Sequence, residues 1–193
     1  MKLAAITGSI GCGKTTLASM ARRLGYCVYD VDGWVRRLYF KQDFIKVIGA
    51  HFPQVIEEGK VNKRALRNIV FNDNTRLKEL ESLIHPFLRQ YLKRIIYRHA
   101  RSDNLYFLDV ALLFEMGWDI YCDCIIVADV DYETQKKRVM KRDGITGEDF
   151  DKINDIQMRN HDKIALADVV IDTGRPQNQI FMDLISVIDG LEC

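Results

Sequence analysis

The sequence predicts an α/β fold: a five-stranded parallel sheet with helices on both faces. Short apolar runs alternate along the chain with stretches of helical periodicity, which is typical of parallel strands joined by helical crossovers. Directly after the first apolar run comes the glycine-rich stretch "GSIGCGKTT", and an amphipathic segment follows it. A strand, a glycine-rich loop and a helix in this order indicate a core that binds phosphate groups.

The strands of this sheet are expected at five apolar runs, about 2–7, 27–30, 105–110, 124–129 and 168–172. The first helix, about 14–24, has apolar residues on one face and is followed by Gly25, which suits the left-handed end of a helix. The last helix is expected at about 177–190. Its apolar face consists of Ile180, Leu184, Val187 and Leu191.

The second and third strands are separated by some seventy residues, more than one crossover helix needs. An amphipathic run lies among them, with apolar residues from Leu77 to Ile95. Because proline lacks an N–H group, we expect one helix to end near Ile84 and another to begin with Pro86 in its first turn. Residues 33–101 are thus predicted to form a helical insertion.

A shorter insertion is predicted after the fourth strand. A helix of about 132–142 should end at the Asp143-Gly144 turn, and Thr146 with Asp149 is typical of a capping box for the next helix. Basic residues and the two glycines of "DGITG" favour a mobile lid. The predicted division is a lid at 138–159 and a nucleotide-binding core of 1–32, 102–137 and 160–193.

Charge and cysteine content indicate which partners and which cellular compartment the protein is expected to have. The 28 basic and 27 acidic residues give a net charge of +1, which favours neither nucleic acid nor an anionic membrane as a partner. No apolar run reaches the length of a membrane span, about 18 residues, and no leader pattern precedes the first strand. Five cysteines without a CxxC pair indicate a reducing compartment, and Cys122-x-Cys124 is interpreted as strand packing rather than half of a metal site. We expect an unprocessed cytoplasmic protein, a monomer or a weak homo-oligomer.

The spacing Gly8-x-x-x-x-Gly13-Lys14-Thr15 is that of a phosphate-binding loop. Glycines let the backbone approach phosphate oxygens closely, and the helix start directs amide groups at the negative charge. Lys14 is expected to reach the β- and γ-phosphates of ATP, and the Thr15 hydroxyl to bind Mg²⁺. The residues expected to hold the nucleotide in this loop are Gly8, Gly11, Cys12, Gly13, Lys14, Thr15 and Thr16.

Acidic residues follow two of the predicted strands. Asp30 and Asp32 come after the second strand, and two residues at i and i+2 of an extended chain point the same way. Since open α/β sheets bind ligands at the carboxyl ends of their strands, one of them is a candidate base for an attacking hydroxyl, or a magnesium partner. Asp109 ends the third strand, where the metal-binding acid belongs. A solvated turn or a helix cap is the alternative for each aspartate.

Basic residues cluster on the helix before the shorter insertion. Arg138 and Arg142 are four residues apart, with Lys141 beside them and Arg159 further along the chain. Like charges at this spacing weaken a helix unless an anion neutralises them, which suggests a phosphate between the two arginines. A solvated basic face is the alternative, and it is the commoner one for a charge run taken alone.

The chain as a whole resembles the dephospho-coenzyme A kinase family. The matching stretches are, in order, "TGSIGCGKTT", "YDVD", "NKRALRNIVF", "LIHP", "LDVALLFE", "ETQKKRVMKRD", "INDIQ" and "ADVVIDTG". The aspartate pair, "HP" and "LLFE" are far more specific than the phosphate loop. The resemblance implies a P-loop kinase with a helical coenzyme-binding domain and a lid. It further implies transfer of the γ-phosphoryl group of ATP, with Mg²⁺, to the 3′-hydroxyl of dephospho-CoA.

The resemblance also implies roles for single residues. Asp32 matches the family's proposed base, and Lys14 and Arg142 complete the expected catalytic set. Thr173 lies in the adenine loop, where the family usually has asparagine nearby, and Ala111 replaces a proline usual before "LL". Arg138, Arg142 and Thr173 are the further nucleotide-binding candidates, Thr15 and Asp109 the metal-binding ones, and Asp32, Lys63, Arg64, His85, Leu113 and Glu115 those for the acceptor.

Three other functions stay open at this point. A kinase for another metabolite shares the loop, the lid and the acceptor site. A regulatory GTPase needs an Asn-Lys-x-Asp motif, and "NKRA" has Ala65 where the acid belongs. A nucleotide-sensing protein binds through the same loop without turnover.

Overall fold

The computed structural model describes residues 1–192. They form two compact units, one of Met1–Asp30 together with the chain from Arg101 onward, and one of Val31–Ala100. Within residues 1–192, no helix is both long enough and apolar enough to cross a membrane.

The first unit contains a parallel sheet. Numbered in chain order, the strands of the whole chain are β1 Lys2–Thr7, β2 Cys27–Asp30, β3 Ile56–Glu57, β4 Lys60–Val61, β5 Leu105–Asp109, β6 Cys124–Asp129 and β7 Val169–Asp172. Within residues 1–192, the sheet has five strands in the order β2-β5-β1-β6-β7, all parallel. The α/β fold and the five predicted strands are confirmed.

The register of the sheet brings acidic strand ends together. Asp109 of β5 lies opposite Ile6 of β1 on one side and opposite Asp30 of β2 on the other. On the far side of β1, Asp129 of β6 lies opposite Asp172 of β7. The carboxyl ends of the strands thus form one edge, the position where parallel sheets bind ligands.

Helices cover the sheet and build the second unit. They are α1 Lys14–Arg23, α2 Val31–Leu38, α3 Gln42–His51, α4 Lys63–Asn72, α5 Asn74–His99, α6 Tyr132–Asp143, α7 Gly147–Ile156, α8 Asn160–Ala165 and α9 Gln177–Glu192, with short 3-10 helices at Pro53–Val55 and Asp119–Tyr121. The core under α1 and α9 includes Leu17, Phe107, Ile126 and Leu184, all fully buried. The apolar faces predicted from the sequence are therefore those that pack on the sheet.

Two helix ends form as the sequence predicts. After α1, Gly25 has φ 95°, its N–H donates to Arg22 O at 3.0 Å, and Tyr26 N–H donates to Ala21 O at 3.1 Å. Such a pair of hydrogen bonds satisfies the last carbonyls of a helix, and the positive φ favours glycine. The helix before the shorter insertion ends in the same way: α6 is followed by Gly144, which also has a positive φ, 66°.

The helix after that turn has the predicted capping box. Thr146 Oγ1 accepts a hydrogen bond from Asp149 N–H at 3.1 Å, and Asp149 Oδ2 accepts one from Thr146 N–H at 3.4 Å. Each side chain thus satisfies a donor of the other residue at the start of α7.

The second unit contains α2 to α5 and the β3–β4 hairpin. The helices agree with the predicted helical insertion, but the hairpin is not predicted from the sequence. The predicted helix break at Pro86 is wrong, because α5 continues through it without interruption. An internal proline costs about 3 kcal/mol, whereas each buried leucine contributes about 1.5–3 kcal/mol. Beyond the proline, Leu88, Leu92 and Ile95 continue the buried face of the helix, so their burial outweighs the penalty.

Candidate active site

Three glycines shape the loop between β1 and α1. Gly8, Gly11 and Gly13 have φ values of 147°, 81° and 90°. A side chain at Gly13 would lie 2.6 Å from Thr173 Oγ1, and one at Gly8 would lie 2.7 Å from Ala128 O. Gly13 precedes the first residue of α1 and provides no capping side chain. The positive end of this helix is thus left for an anion, as in a phosphate-binding loop.

The expected phosphate-binding lysine is held against the expected metal-binding acid. Lys14 Nζ lies 2.8 Å from Asp109 Oδ1, and the two side chains are 12% and 7% exposed. A charge pair with so little access to water interacts strongly, since screening is weak there. Thr15, the other metal-binding candidate, is exposed at the start of α1. Thr15 and Asp109 both offer oxygen atoms, which Mg²⁺ prefers.

Thr173 supports the phosphate loop from the end of β7. Its hydroxyl donates to Cys12 O at 2.7 Å, and Arg138 donates to its hydroxyl at 3.1 Å and to its carbonyl at 2.9 Å. Burial and then the charge of Asp129 raise the pKa of the Cys12 thiol to about 12. The thiol therefore stays neutral at physiological pH and adds no negative charge beside a bound phosphate.

Three amide side chains that hold the same loop are missed by the sequence analysis. Asn160 Oδ1 accepts from Ser9 N–H at 3.0 Å, and Gln157 Oε1 accepts from Ile10 N–H at 2.9 Å. Gln135 Nε2 donates to Ile10 O at 2.5 Å. No spacing rule relates these residues to a loop more than a hundred positions away. Gln135 and Gln157 do lie in two of the stretches that resemble the family, "ETQKKRVMKRD" and "INDIQ", but that resemblance gives no contact with the loop.

A buried cation is paired with Glu115, one of the two acceptor candidates that follow β5. Lys163 is fully buried; its Nζ lies 3.1 Å from Glu115 Oε1 and donates to Ala111 O at 2.6 Å. Burial lowers the pKa of Lys163, and the Glu115 carboxylate opposes that shift. Glu115 also accepts from Met158 N–H at 2.9 Å, whereas Leu113 is fully buried. Glu115 and Leu113 thus have structural contacts of their own.

The two arginines of α6 have separate partners. The guanidinium group of Arg142 forms two hydrogen bonds with Asp143, at 2.8 and 2.7 Å, and its side chain is 59% exposed. Arg138 is bound to Thr173 instead. In this structure, each guanidinium group is therefore bonded to a different protein partner, and a phosphate shared by the two arginines stays a prediction.

The remaining candidates lie in the second unit. Asp32 is half-buried in the first turn of α2, which begins at Val31. The expectation that Asp30 and Asp32 share an extended chain is wrong, because β2 ends at Asp30 and Asp32 already lies on the helix that begins at Val31.

The basic candidates of this unit lie on helix surfaces. Lys63 Nζ is 4.6 Å from the ring centroid of Phe40 and 5.2 Å from that of Tyr39, and Arg64 is exposed. His85 lines a surface pocket of about 650 Å³ along one side of α5. The pocket is also lined by Ser82, Pro86, Phe87, Arg89, Gln90 and Lys93.

Comparison with known proteins places the chain in a family. The sequence profile of the dephospho-CoA kinase family matches residues 2–178. The chain belongs to this family. The dephospho-CoA kinase of Bartonella henselae is 35% identical over 192 residues, 99% of this chain and 98% of that protein. The corresponding enzyme of Aquifex aeolicus is 34% identical over 196 aligned positions, again 99% and 98% of the two chains.

Solved structures agree with the fold. TT1252 from Thermus thermophilus superposes with a TM-score of 0.85 at 31% identity, covering 98% of this chain and 97% of that one. Dephospho-CoA kinase from Campylobacter jejuni gives a TM-score of 0.69 at 24% identity, covering 100% and 98%, and supports the fold alone. The resemblance and the P-loop kinase fold predicted from the sequence are confirmed.

Proposed function

We infer that the protein is an ATP-dependent kinase that phosphorylates the 3′-hydroxyl of dephospho-CoA, the final step of coenzyme A synthesis. The observation that carries this inference is the Lys14–Asp109 pair at the carboxyl end of β5, in a chain that belongs to the dephospho-CoA kinase family. A cation and a carboxylate at the start of a glycine-capped helix are the groups that phosphoryl transfer requires.

On the donor side, the chain binds and orients the triphosphate. The start of α1 and the Lys14 ammonium offset the negative charge of the phosphates. Because the loop and its lysine are already held in place, little reorganisation is needed when charge develops on the transferring oxygens. Thr15 and Asp109 would hold Mg²⁺, which supplies further positive charge when bound. Two protein ligands suffice for a site of this kind, because phosphates and water fill the other positions.

On the acceptor side, we assign the base to Asp32, which would take the proton of the 3′-hydroxyl. Asp32 lies in the first turn of α2. Lys63, Arg64 and His85 would bind the phosphates and the ribose of dephospho-CoA. Glu115 completes the proposed acceptor set, and Leu113, which is fully buried, would support it from the core without touching the acceptor.

Arg142 is the proposed cation of the lid, residues 138–159. Its guanidinium group is exposed and paired with an adjacent, part-exposed carboxylate. An exposed ion pair is worth about 0–1 kcal/mol, so exchanging Asp143 for a phosphate oxygen costs little. Arg138 is bound to Thr173, and we expect it to stabilise the nucleotide loop from there.

The proposal also covers the cellular setting. We expect the enzyme to act in the reducing cytoplasm, as its cysteine spacing indicates, and as a monomer or a weak homo-oligomer.

The test is a coupled assay of ADP release with ATP and Mg²⁺, with and without dephospho-CoA, together with mass spectrometry of the acceptor. We expect ADP release to depend on dephospho-CoA and the product to gain one 3′-phosphate. Adenosine, nucleoside monophosphates and small sugars serve as control acceptors. Faster turnover with one of them would identify a kinase for another metabolite, and nucleotide binding without turnover would favour a sensor.

A further inference from the structure

A short stretch after α7, Gln157–Asn160, holds the beginning of the phosphate loop, and we call it the loop clamp. Asn160 Oδ1 accepts from Ser9 N–H at 3.0 Å, and Gln157 Oε1 accepts from Ile10 N–H at 2.9 Å. Two backbone donors of the loop are thus bonded to the protein itself. Their peptide groups are oriented before any ligand arrives.

The loop clamp is itself fixed to the sheet. Asn160 Nδ2 donates to Asp129 Oδ1 at 2.6 Å, at the end of β6, the strand next to β1. Met158 O accepts from the Ser9 hydroxyl at 3.2 Å, and Met158 N–H donates to Glu115 Oε1 at 2.9 Å. The clamp therefore connects the loop to the chain that follows both neighbours of β1, and these bonds anchor the end of the predicted lid, where Gln157 and Met158 lie.

The peptide groups on both sides of Ile10 are held. Gln157 binds the N–H of Ile10, and Gln135 of α6 donates to its carbonyl at 2.5 Å. Gln135 is in turn 3.3 Å from Asn154 Oδ1 of α7. Gly11 and Gly13, on either side of Cys12, have positive φ. Glycine loses more conformational freedom on ordering than other residues, so this part of the loop costs more to order unless side chains hold it.

We propose that Gln157 and Asn160 are positioning residues that hold the phosphate loop in the conformation that binds ATP. This proposal rests on the use of ATP as the phosphate donor. Neither side chain needs to touch the nucleotide. Without the clamp, ATP would have to order the loop as it binds, and the cost of that ordering is lost from its affinity.

The test compares three variants. Gln157→Met removes the acceptor at similar side-chain length, Gln157→Glu keeps an acceptor oxygen for Ile10 N–H, and Gln179→Met makes the same change at an exposed residue of α9. ATP binding is measured by calorimetry without acceptor, the Michaelis constants for ATP and dephospho-CoA by steady-state kinetics, and the unfolding midpoint by thermal denaturation. If Gln157→Met does not fold, Gln157→Asn, whose shorter amide withdraws the acceptor, replaces it.

We expect Gln157→Met to bind ATP about 5- to 30-fold more weakly, the loss expected when a part-buried N–H has no protein acceptor. The Michaelis constant for ATP should rise by a similar factor, whereas the Michaelis constant for dephospho-CoA should change less than twofold. Gln157→Glu should bind ATP more tightly than Gln157→Met does. Gln179→Met should match the wild type.

ATP affinity of Gln157→Met within twofold of the wild type would overturn the proposal. Equal increases in both Michaelis constants with a lower unfolding midpoint would also overturn it, since they indicate a general structural role. ATP binding is measured without acceptor, so a wild-type protein that binds ATP but does not phosphorylate dephospho-CoA would disprove the proposed acceptor and leave this comparison valid.

Discussion

The phosphate loop and the helical insertion hold their candidate residues in different ways. In the loop, Lys14 is bonded to a buried carboxylate, and the backbone of Ile10 and Cys12 is bonded to amide and hydroxyl side chains. In the insertion, Lys63 lies over the exposed ring of Phe40, and His85 lines an open pocket. The loop is therefore organised in advance, whereas surface side chains lose freedom only when a ligand binds.

This difference leads to a kinetic expectation. Groups that are already in place act mainly on the chemical step, because they need no reorganisation in the transition state. Flexible surface groups that contact remote parts of the acceptor act mainly on its binding. Changes in the loop should thus lower kcat, and changes in the insertion should raise the Michaelis constant for dephospho-CoA. Asp32 is the expected exception.

We expect the largest effect from Asp32→Asn, a decrease in kcat of about 10²–10⁴-fold with little change in ATP affinity, the usual worth of a positioned base. Steady-state kinetics with both substrates varied measures it. Asp43→Asn is a matched control, because Asp43 also lies in the first turn of a helix of the second unit. A loss confined to ATP binding would make Asp32 a metal partner instead of the base.

Lys14→Met should lower kcat by about 10²–10³-fold, the range reported for removing one group that stabilises charge in the transition state. The chain should still fold, since methionine retains the apolar stem, but the unfolding midpoint should fall because the buried Asp109 carboxylate loses its partner. Circular dichroism and kinetics with ATP test both statements, with Lys46→Met on the exposed surface of α3 as the control. Unchanged turnover would disprove the phosphate-loop assignment, and the contrast between the loop and the helical insertion would then have no basis.

Arg142→Ala should lower kcat by up to about 10³-fold, as expected for an arginine that stabilises the transferring phosphoryl group. Arg142→Lys should recover only part of the activity, because an ammonium group cannot make the planar two-pronged contact. The neighbouring Lys141→Ala removes an exposed charge from the same turn and serves as the control. A kcat within about threefold of the wild type, a barrier change of about 0.7 kcal/mol, would return this stretch to a solvated helix surface.

Lys63→Met tests the other half of the comparison. The Michaelis constant for dephospho-CoA should rise about 5- to 10-fold, while the Michaelis constant for ATP and kcat stay nearly unchanged. The reason is that an exposed lysine that contacts the acceptor far from the reacting atoms contributes to binding alone. Lys60→Met, a similar change on the nearby β3–β4 hairpin, should have no effect. An equal loss in kcat would show that the insertion is as pre-organised for catalysis as the loop.

The sequence predicts the strands, the phosphate loop and the capping box well, because each depends on local rules. Glycine spacing, apolar alternation and the Thr146–Asp149 pair operate within a few residues. The Pro86 prediction fails because a long-range effect, burial of the face that contains Leu88 and Leu92, outweighs a local preference. Gln157 and the buried Lys163 go unpredicted for the same reason, since their partners are distant along the chain.

The last effect we expect concerns stability rather than turnover, and it compares a buried thiol of the loop with an exposed one. The pKa of Cys12 is raised from 9.0 to about 12, mainly by burial. Above pH 9 the unfolded chain loses this proton while the folded protein keeps it. The folded state then binds more protons, and the free energy of unfolding falls as pH rises.

Between about pH 9 and 12, Cys12 alone should lower the free energy of unfolding by up to about 1.4 kcal/mol per pH unit. Cys12→Ala should remove this contribution and give a shallower decline, because the other titrating groups are the same in both proteins. Urea unfolding at pH 8, 9 and 10 with a reductant measures the slopes. Cys27→Ala, which removes an exposed thiol, should keep the wild-type slope. If Cys12→Ala declines as steeply as Cys27→Ala, the loop thiol is accessible to water, and the loop is then less firmly held than its hydrogen bonds indicate.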